Sequence, residues 1–122
     1  MAARHNFRKL TIWKEGIELA KDTYSITKIF PKSEIYSLTS QMQRAAVSIS
    51  SNIAEGTAKS TDRHFIKFLD DSLGSAYEWE TQLIVSYRQN FLTKDEFLKM
   101  EDKVQALQSR ISNFIDTLDH NS

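Results

Sequence analysis

The chain has 122 residues, of which 40% are apolar and 26% charged, and this size and composition predict a single globular domain over residues 1–122. Sixteen basic and sixteen acidic residues give a net charge of zero, which argues against strong nonspecific binding to nucleic acid. Cysteine is absent, so disulfides and thiol chemistry are excluded. Because neither a leader peptide nor a membrane-spanning run is visible, we expect a cytoplasmic protein without a membrane partner and with short flexible ends at 1–6 and 119–122.

The first half of the chain predicts two helices. One proline and three glycines leave few signals for turns, so the elements should be few and long. The first helix is predicted over about Thr11 to Phe30, where Pro31 stops it. The second is predicted over about Leu38 to Glu55, with Gly56 just past its end as a left-handed C-cap.

The second half predicts two more helices, each with an N-terminal capping signal. Thr61 is an N-cap for a helix that runs to about Asn90, and Thr93 with Glu96 forms a capping box. After that box, apolar residues recur at spacings of three and four: Phe97, Met100, Val104, Leu107, Ile111, Phe114 and Leu118. Short connections between long helices favour antiparallel neighbours, so the predicted fold is all-α, an up-down-up-down four-helix bundle.

The first and third helices carry wider apolar arcs than the fourth. Their large aromatic side chains are of the kind enriched at interfaces between proteins: Trp13, Tyr24, Tyr77 and Trp79. Two interpretations stay open. Either the core of one bundle is thick, or copies of the chain assemble into a homo-oligomer through these two helices.

The sequence argues against catalysis and against a metal cofactor. A di-iron bundle needs Glu-x-x-His on its helices, but threonine stands three residues before His64 and before His120, and His5 lies in the N-terminal tail. No glycine-rich phosphate loop and no local serine–histidine pair is present. We therefore predict no enzyme, no cofactor and no small-molecule substrate.

One acidic residue stands out by its position. Glu80 falls in the middle of the apolar arc of the third helix, where an unpaired carboxylate would cost several kcal/mol, on the order of the penalty for burying an ion. The expected partners lie on the second helix: Arg44, which pairs either with Glu80 or with Glu55, and Asn52 as a bridge. A stripe on that helix follows spacings of 4, 3 and 4: Arg44, Ser48, Ser51 and Glu55. The alternative is a catalytic acid with a raised pKa, which would need an open pocket and a second titratable group beside Glu80.

Four sequence blocks resemble successive parts of the 23S rRNA intervening-sequence protein family: LTIWKEGIELA, IFPKSEIYSLTSQMQRAAVSISSNIAEG, FIKFLDDSLGSAYEWETQL and FLTKDEF. The resemblance implies a small bacterial four-helix bundle without catalytic activity that assembles into a ring, typically a homopentamer. It also implies kinship with the accessory protein of diversity-generating retroelements, which works with a reverse transcriptase and RNA. By matching positions, the family's characteristic polar residues are Arg44, Asn52, Glu55, Glu80 and Gln82.

The function expected from the resemblance is a non-catalytic homo-oligomer that binds a macromolecule, either RNA or an RNA-associated protein. RNA affinity comes chiefly from neutralised phosphates, and the candidate contacts are basic: Arg4, Arg8, Lys9, Lys14, Lys59 and Arg63. The loop after NIAEG has fewer basic residues than is usual in the family, which weakens this expectation. The alternative is a protein–protein interaction scaffold that binds no nucleic acid.

Overall fold

The computed structural model describes residues 5–121, and this part of the chain is helical without a strand. Its four long helices are α1 (Thr11–Thr27), α2 (Ser40–Thr57), α3 (Asp62–Arg88) and α4 (Lys94–Asn121). A 3₁₀ turn, Phe7–Lys9, precedes α1. The all-helical prediction is therefore confirmed. Within residues 5–121 no helix is both long enough and apolar enough to cross a membrane.

Both capping predictions in the second half of the chain are confirmed. The Thr61 hydroxyl accepts a hydrogen bond from the His64 N–H at 3.2 Å, which satisfies a free amide in the first turn of α3. Before α4, the Thr93 N–H donates to the Glu96 carboxylate at 2.9 Å, and the Glu96 N–H donates to the Thr93 hydroxyl at 3.1 Å. These reciprocal bonds form a capping box that fixes the start of α4.

The connection between α1 and α2 differs from the prediction. Helix α1 ends at Thr27, three residues before the predicted Phe30, because Pro31 disfavours helical backbone in the residue before it. The Phe30 N–H closes a turn onto the Thr27 carbonyl at 3.1 Å, and the Phe30 side chain is buried. The chain then makes a 3₁₀ turn, Lys32–Glu34, and a π-helical turn, Ile35–Thr39, which leads directly into α2.

The prediction that Gly56 is a left-handed C-cap is wrong. Gly56 lies inside α2, and no glycine among the described residues has a positive φ. Its lack of a side chain serves packing: a Cβ atom at Gly56 would lie 2.7 Å from Cδ1 of Phe65 and 2.9 Å from Cβ of Phe68. Glycine therefore lets the last turn of α2 approach the first turns of α3.

All four helices contribute to one apolar core. The largest fully buried side chain is Trp79 of α3, whose indole N–H donates to the Thr23 hydroxyl of α1 at 3.0 Å. The Ser72 hydroxyl of α3 donates to the Ile49 carbonyl of α2 at 2.7 Å. On α4, five members of the predicted apolar series are buried, while Phe97 and Phe114 are partly buried: Met100, Val104, Leu107, Ile111 and Leu118.

Helices α1 and α4 meet along a groove of about 410 Å³ whose rim is charged. Two ion pairs cross it: Lys103 with Asp22 at 2.7 Å, and Arg110 with Glu15. Helix α4 continues to Asn121, so residues 119–121, which the sequence assigned to a flexible end, are helical.

Candidate interaction surface

The expected pairing of Glu80 with Arg44 or Asn52 is wrong. Glu80 is partly buried between α3 and α4, where its two carboxylate oxygens accept hydrogen bonds from Gln105 at 3.0 Å and from Gln108 at 2.9 Å. The apolar arc of α3 is wide because this helix packs against both α2 and α4, and Glu80 lies on the flank that faces α4. Two amide donors meet the need of the carboxylate, so the geometry assigns it a structural role that ties α3 to α4.

Arg44 and Glu55 are both exposed on the outer face of α2. Neither side chain makes a hydrogen bond or an ion pair with another described residue, and they stand three helical turns apart. The other predicted partner, Asn52, donates to the Ser48 carbonyl at 3.0 Å and to the Ser48 hydroxyl at 3.1 Å. The expected network of Arg44, Asn52, Glu55 and Glu80 therefore does not form as one cluster.

A smaller polar cluster joins α2 to α3 instead. The hydroxyl groups of Ser48 and Ser75 are 2.9 Å apart, and Asn52 completes the group on the α2 side. All three residues are partly buried at the rim of the core. Their hydrogen bonds hold the two helices in register and leave the outer side of α2 free for other contacts.

Gln82, the last of the predicted polar residues, has a side-chain oxygen without a hydrogen-bond donor among the described residues. Only 8% of its surface is exposed, and that oxygen is buried. It lines a surface groove of about 790 Å³ that crosses α2 from Tyr24 on one side to Glu78 on the other. Arg44, Ser48 and Ser51 line the same groove.

A second, apolar groove of about 250 Å³ adjoins the first between α1 and α2. The two grooves share Val47 and Ser51. The remaining lining is mostly hydrophobic: Trp13, Ile17, Ala20, Ser50 and Ala54. We call this set, together with Val47, the α1–α2 strip. Ile17 and Val47 expose 41% and 44% of their surface, so the strip presents apolar area to the outside.

The four aromatic residues assigned to an oligomer interface divide into two groups. Trp79 has no exposed surface and belongs to the core, so its assignment to an interface between copies is wrong. Its ring fills the space between α3 and the Thr23 side of α1, which the width of an apolar arc alone cannot reveal. Tyr24 and Tyr77 are about half exposed, while Trp13 is partly buried against the ring of Phe7 at 5.2 Å between centroids.

The candidate RNA contacts also divide. Arg8 and Lys9 lie in the turn before α1, while Lys59 and Arg63 lie where α2 leads into α3. The two segments meet at one end of the molecule, because the ring of His5 lies 5.0 Å from that of Phe65. All four basic residues are exposed.

One further candidate, Lys14, falls outside this basic end. Lys14 lies along the α1–α4 groove, whose lining has as many acidic residues, Glu15, Glu18 and Asp102, as basic ones, Lys14, Lys103 and Arg110. Arg4 is outside the described residues. The basic end therefore consists of Arg8, Lys9, Lys59 and Arg63.

Comparison with protein families places the chain. The model of the family described as 23S rRNA-intervening sequence protein matches residues 8–113, which include most of α4 and all of the other three helices. The chain belongs to this family. The block SQMQRAAVSISSNIAEG, on which the resemblance chiefly depends, forms α2 up to Gly56 and so provides the floor of both grooves in this member of the 23S rRNA-intervening sequence protein family.

A solved structure supports the fold of this family member. The chain is similar to a protein of unknown function from the S23 ribosomal protein family of Bacteroides thetaiotaomicron, whose crystal structure was determined at 1.70 Å. The TM-score is 0.80, the sequence identity is 20%, and the match covers 86% of this chain and 98% of that one. Comparison with curated proteins gives no match.

The sequence analysis missed three residues: Gln105 and Gln108, which bond Glu80 between α3 and α4, and Ser50 of the α1–α2 strip. Gln105 and Gln108 stand three apart on α4, and that spacing on one helix face was a readable signal for a shared partner. Ser50 gave no such signal. Its hydroxyl is buried without a partner among the described residues because α1 passes it closely at Gly16.

Proposed function

We propose that the protein is a non-catalytic helical module that assembles with copies of itself and binds a macromolecular partner in the cytoplasm. The observation that carries this proposal is the exposed apolar surface of the α1–α2 strip. Three of the exposed large apolar residues, Ile17, Tyr24 and Val47, lie along the two adjoining grooves. Exposed apolar residues that adjoin one another are typical of interaction sites, whereas single exposed apolar residues are common on any protein surface.

We propose an up-down-up-down order of the helices. Two ion pairs support it, because Asp22 meets Lys103 while the earlier Glu15 meets the later Arg110, so α1 and α4 run in opposite directions. The contacts of His5 with Phe65 and Phe114 bring the start of α3 and the end of α4 to the same end of the molecule. Short connections then give alternating directions for all four helices.

A ring of copies, with five as the number that the resemblance implies, is the proposed assembly. Ring closure needs contacts between two different surfaces of neighbouring copies. Tyr77 and Val85 supply a second exposed apolar region on α3, at 53% and 44% exposure, which is available to a neighbour.

The assembly proposal is tested by the mass of the protein in solution. Sedimentation velocity or mass photometry should give a mass well above that of the 14.1 kDa chain. Ile17→Ser and Val47→Ser should lower that mass, because each places a hydroxyl group in the apolar contact, whereas Leu98→Ser, at a comparably exposed apolar residue of α4, should leave it unchanged. A monomer at all accessible concentrations contradicts the proposal.

RNA is the proposed partner, and the basic end is the proposed contact. Arg8, Lys9, Lys59 and Arg63 place four positive charges at one end of the molecule although the whole chain is neutral. Because binding to phosphates releases counterions, four contacts should weaken affinity for single-stranded RNA by roughly fiftyfold between 50 and 200 mM salt.

The RNA contact is tested with a single-stranded RNA oligonucleotide in a filter-binding assay. Replacing both Lys59 and Arg63 by alanine should weaken binding and reduce its salt dependence. The double alanine variant of Lys94 and Lys99 removes the same charge from exposed residues in the first turns of α4 and serves as the control. Equal losses in both variants, or no binding at low salt, count against RNA.

The alternative function is a scaffold for protein partners, and one observation favours it. Tyr36 exposes 96% of its surface in the π-helical turn, where its neighbour Ile35 is also exposed, and Ile29 is exposed seven residues earlier. Partner proteins that remain bound after nuclease treatment and are lost with Tyr36→Ser would support the scaffold over RNA.

A further inference from the structure

We infer that copies of this chain join head to tail through complementary charge: a row of lysines on α1 of one copy meets an acidic face on α3 of the next. The lysine row consists of Lys14, Lys21 and Lys28, and the acidic face consists of Asp70, Asp71 and Glu78. The inference rests on the proposed self-assembly and deepens it by naming the two surfaces that meet.

The lysine row borders the exposed apolar residues of α1. At about 100° per residue, Ile17, Tyr24 and the three lysines lie within an arc of roughly 80°. All three lysines are exposed, and none of their side chains makes a hydrogen bond or an ion pair with another described residue. Two of the three acidic residues of α1, Glu15 and Asp22, form ion pairs with α4, and the third lines the groove beside them. The outward side of α1 therefore combines apolar area with unpaired positive charge.

The acidic face covers the outward side of α3. Its three carboxylates are exposed and have no hydrogen-bond or ion-pair partner among the described residues. Between Lys67 and Arg88 the helix has no basic residue, so the stretch that holds these carboxylates carries only negative charge. Tyr77 lies beside them and is about half exposed. The outward sides of α1 and α3 thus carry opposite charges, and each also exposes apolar area.

The charges of the two surfaces have the same spacing. Neighbouring lysines of the row are seven residues apart, as are Asp71 and Glu78, so both sets repeat at about 10.5 Å along a helix. Two helices that lie side by side keep a seven-residue repeat in register. Two neighbouring lysines can therefore face the two carboxylates at the same time, and Lys21, in the middle of the row, takes part whichever neighbour is used.

Gly74 gives a second, independent indication that another chain approaches this face. It lies between Asp71 and Tyr77 in the exposed middle of α3, where glycine costs helix stability relative to alanine. No described part of the same chain needs the space, because a Cβ atom at Gly74 would meet nothing within 4 Å. Gly16 and Gly56 differ, since neighbouring helices of the same chain approach both closely. The missing side chain at Gly74 lets a helix of a second copy come close to α3.

The two surfaces point away from each other within one chain. Helix α1 packs against α2 and α4, and α3 packs against the same two helices, so α1 and α3 occupy opposite corners of the bundle. The lysine row therefore cannot meet the acidic face of its own chain, and each copy keeps one free surface after it has joined a neighbour. Repetition of such a contact builds a ring where the rotation closes, in agreement with the proposed assembly.

A second copy fits these surfaces better than RNA does. Phosphates would pair with the lysine row, but they would leave Ile17 and Tyr24 exposed and would be repelled by the acidic face. A copy of the chain supplies carboxylates to the lysines, lysines to the carboxylates and apolar side chains to both surfaces.

The test uses two variants that each lose one surface, measured by sedimentation equilibrium at concentrations where the unchanged chain assembles. The α1-blocked variant combines Ile17→Ser with Lys21→Glu, and the α3-blocked variant combines Gly74→Gln with Tyr77→Ser. Each alone should associate at least about tenfold more weakly than the unchanged chain, because each loses an apolar contact and gains either a like-charge contact or a side chain in the gap. An equimolar mixture should give a particle of twice the mass of the 14.1 kDa chain and nothing larger, because only one pair of intact surfaces remains.

A matched control and a fold check accompany these variants. Leu98→Ser with Lys99→Glu makes the same changes as the α1-blocked variant at exposed residues of α4, and it should leave the association unchanged. Circular dichroism should show the same helix content in every variant, because all the changed residues are exposed. Lys21→Glu alone should weaken the association and change its salt dependence, because it replaces an opposite-charge pair by a like-charge pair.

Three outcomes separate this inference from the proposed function. A two-chain particle in the mixture, with each blocked variant monomeric by itself, supports the head-to-tail contact. If either blocked variant assembles like the unchanged chain, or if the mixture associates no better than its components, the contact is overturned but self-assembly through another surface stands. A monomeric unchanged chain overturns both.

Discussion

Trp79 and Thr23 show how one polar contact is placed inside the apolar core. The indole N–H of Trp79 is fully enclosed and has the Thr23 hydroxyl as its acceptor at 3.0 Å. That hydroxyl in turn donates to the Leu19 carbonyl at 2.6 Å, so it acts both as a donor and as an acceptor. A buried donor without an acceptor would cost more than the net value of the bond.

Thr23→Val should therefore destabilise the fold by about 1–3 kcal/mol, because it keeps the shape of the side chain but leaves the Trp79 N–H unsatisfied. Urea unfolding followed by circular dichroism measures the change. Thr81→Val is the control, since the Thr81 hydroxyl also bonds the carbonyl four residues earlier, at 2.9 Å, but is exposed. Its effect should stay within about 0.5 kcal/mol, and equal effects at the two positions would contradict the role given to Trp79.

Two glycines should respond to alanine in opposite directions. At Gly56 the added methyl group meets Phe65 and Phe68 at less than van der Waals distance, so overpacking should cost about 1–3 kcal/mol. At Gly74, in the exposed middle of α3, nothing lies within 4 Å, and the better helix propensity of alanine should stabilise the fold by about 0.5–1 kcal/mol. Thermal unfolding of both variants checks the pair, and a gain in stability at Gly56 would refute the close approach of α2 to α3.

At the scale of the helices, the features that depend on neighbours in sequence were predictable. Thr61 and the pair Thr93 and Glu96 act within one helical turn, so the starts of α3 and α4 could be read from the sequence. The role of Gly56 depends on Phe65 across a packed interface, and the partners of Glu80 lie on another helix. No local pattern states which two helices meet, so these roles could not be derived.

The apolar arc of α3 explains why the burial of Trp79 escaped prediction. An arc of about 180° is expected both for a helix with a spare face and for a helix that packs against two neighbours. The structure decides for two neighbours, α2 and α4, as Ser72 and Glu80 show by their bonds to Ile49 and Gln108. The sequence analysis placed interface residues on α1, Tyr24 among them, but named none of the exposed apolar residues of α2, such as Val47.

The capping box of α4 provides a prediction at the same scale. Thr93→Ala removes the hydroxyl that accepts from the Glu96 N–H, and it should cost about 1 kcal/mol. Thr93→Ser keeps the hydroxyl and should cost much less. Urea unfolding measures both, and equal losses in the two variants would show that the hydroxyl group does not carry the effect.

For the whole molecule, the proposed self-assembly predicts a link between stability and concentration. Burial of the α1–α2 strip between copies would stabilise the folded chain by mass action, so the Tm should rise as protein concentration is raised over a hundredfold range. Ile17→Ser should flatten this dependence, while Leu98→Ser should keep it. Differential scanning calorimetry provides the measurement, and a Tm that stays constant for the unchanged chain would contradict assembly.

Gly16 has an influence on the outside of the molecule that its buried position conceals. A methyl group there would collide with the Ser50 hydroxyl, so the backbone of α1 at Gly16 packs directly against the Ser50 side chain of α2. Any larger residue would wedge the two helices apart and carry Trp13 and Ile17 away from Val47. The shape of the exposed α1–α2 strip therefore depends on a buried residue, because Gly16 has a hydrogen atom where every other amino acid has a Cβ atom.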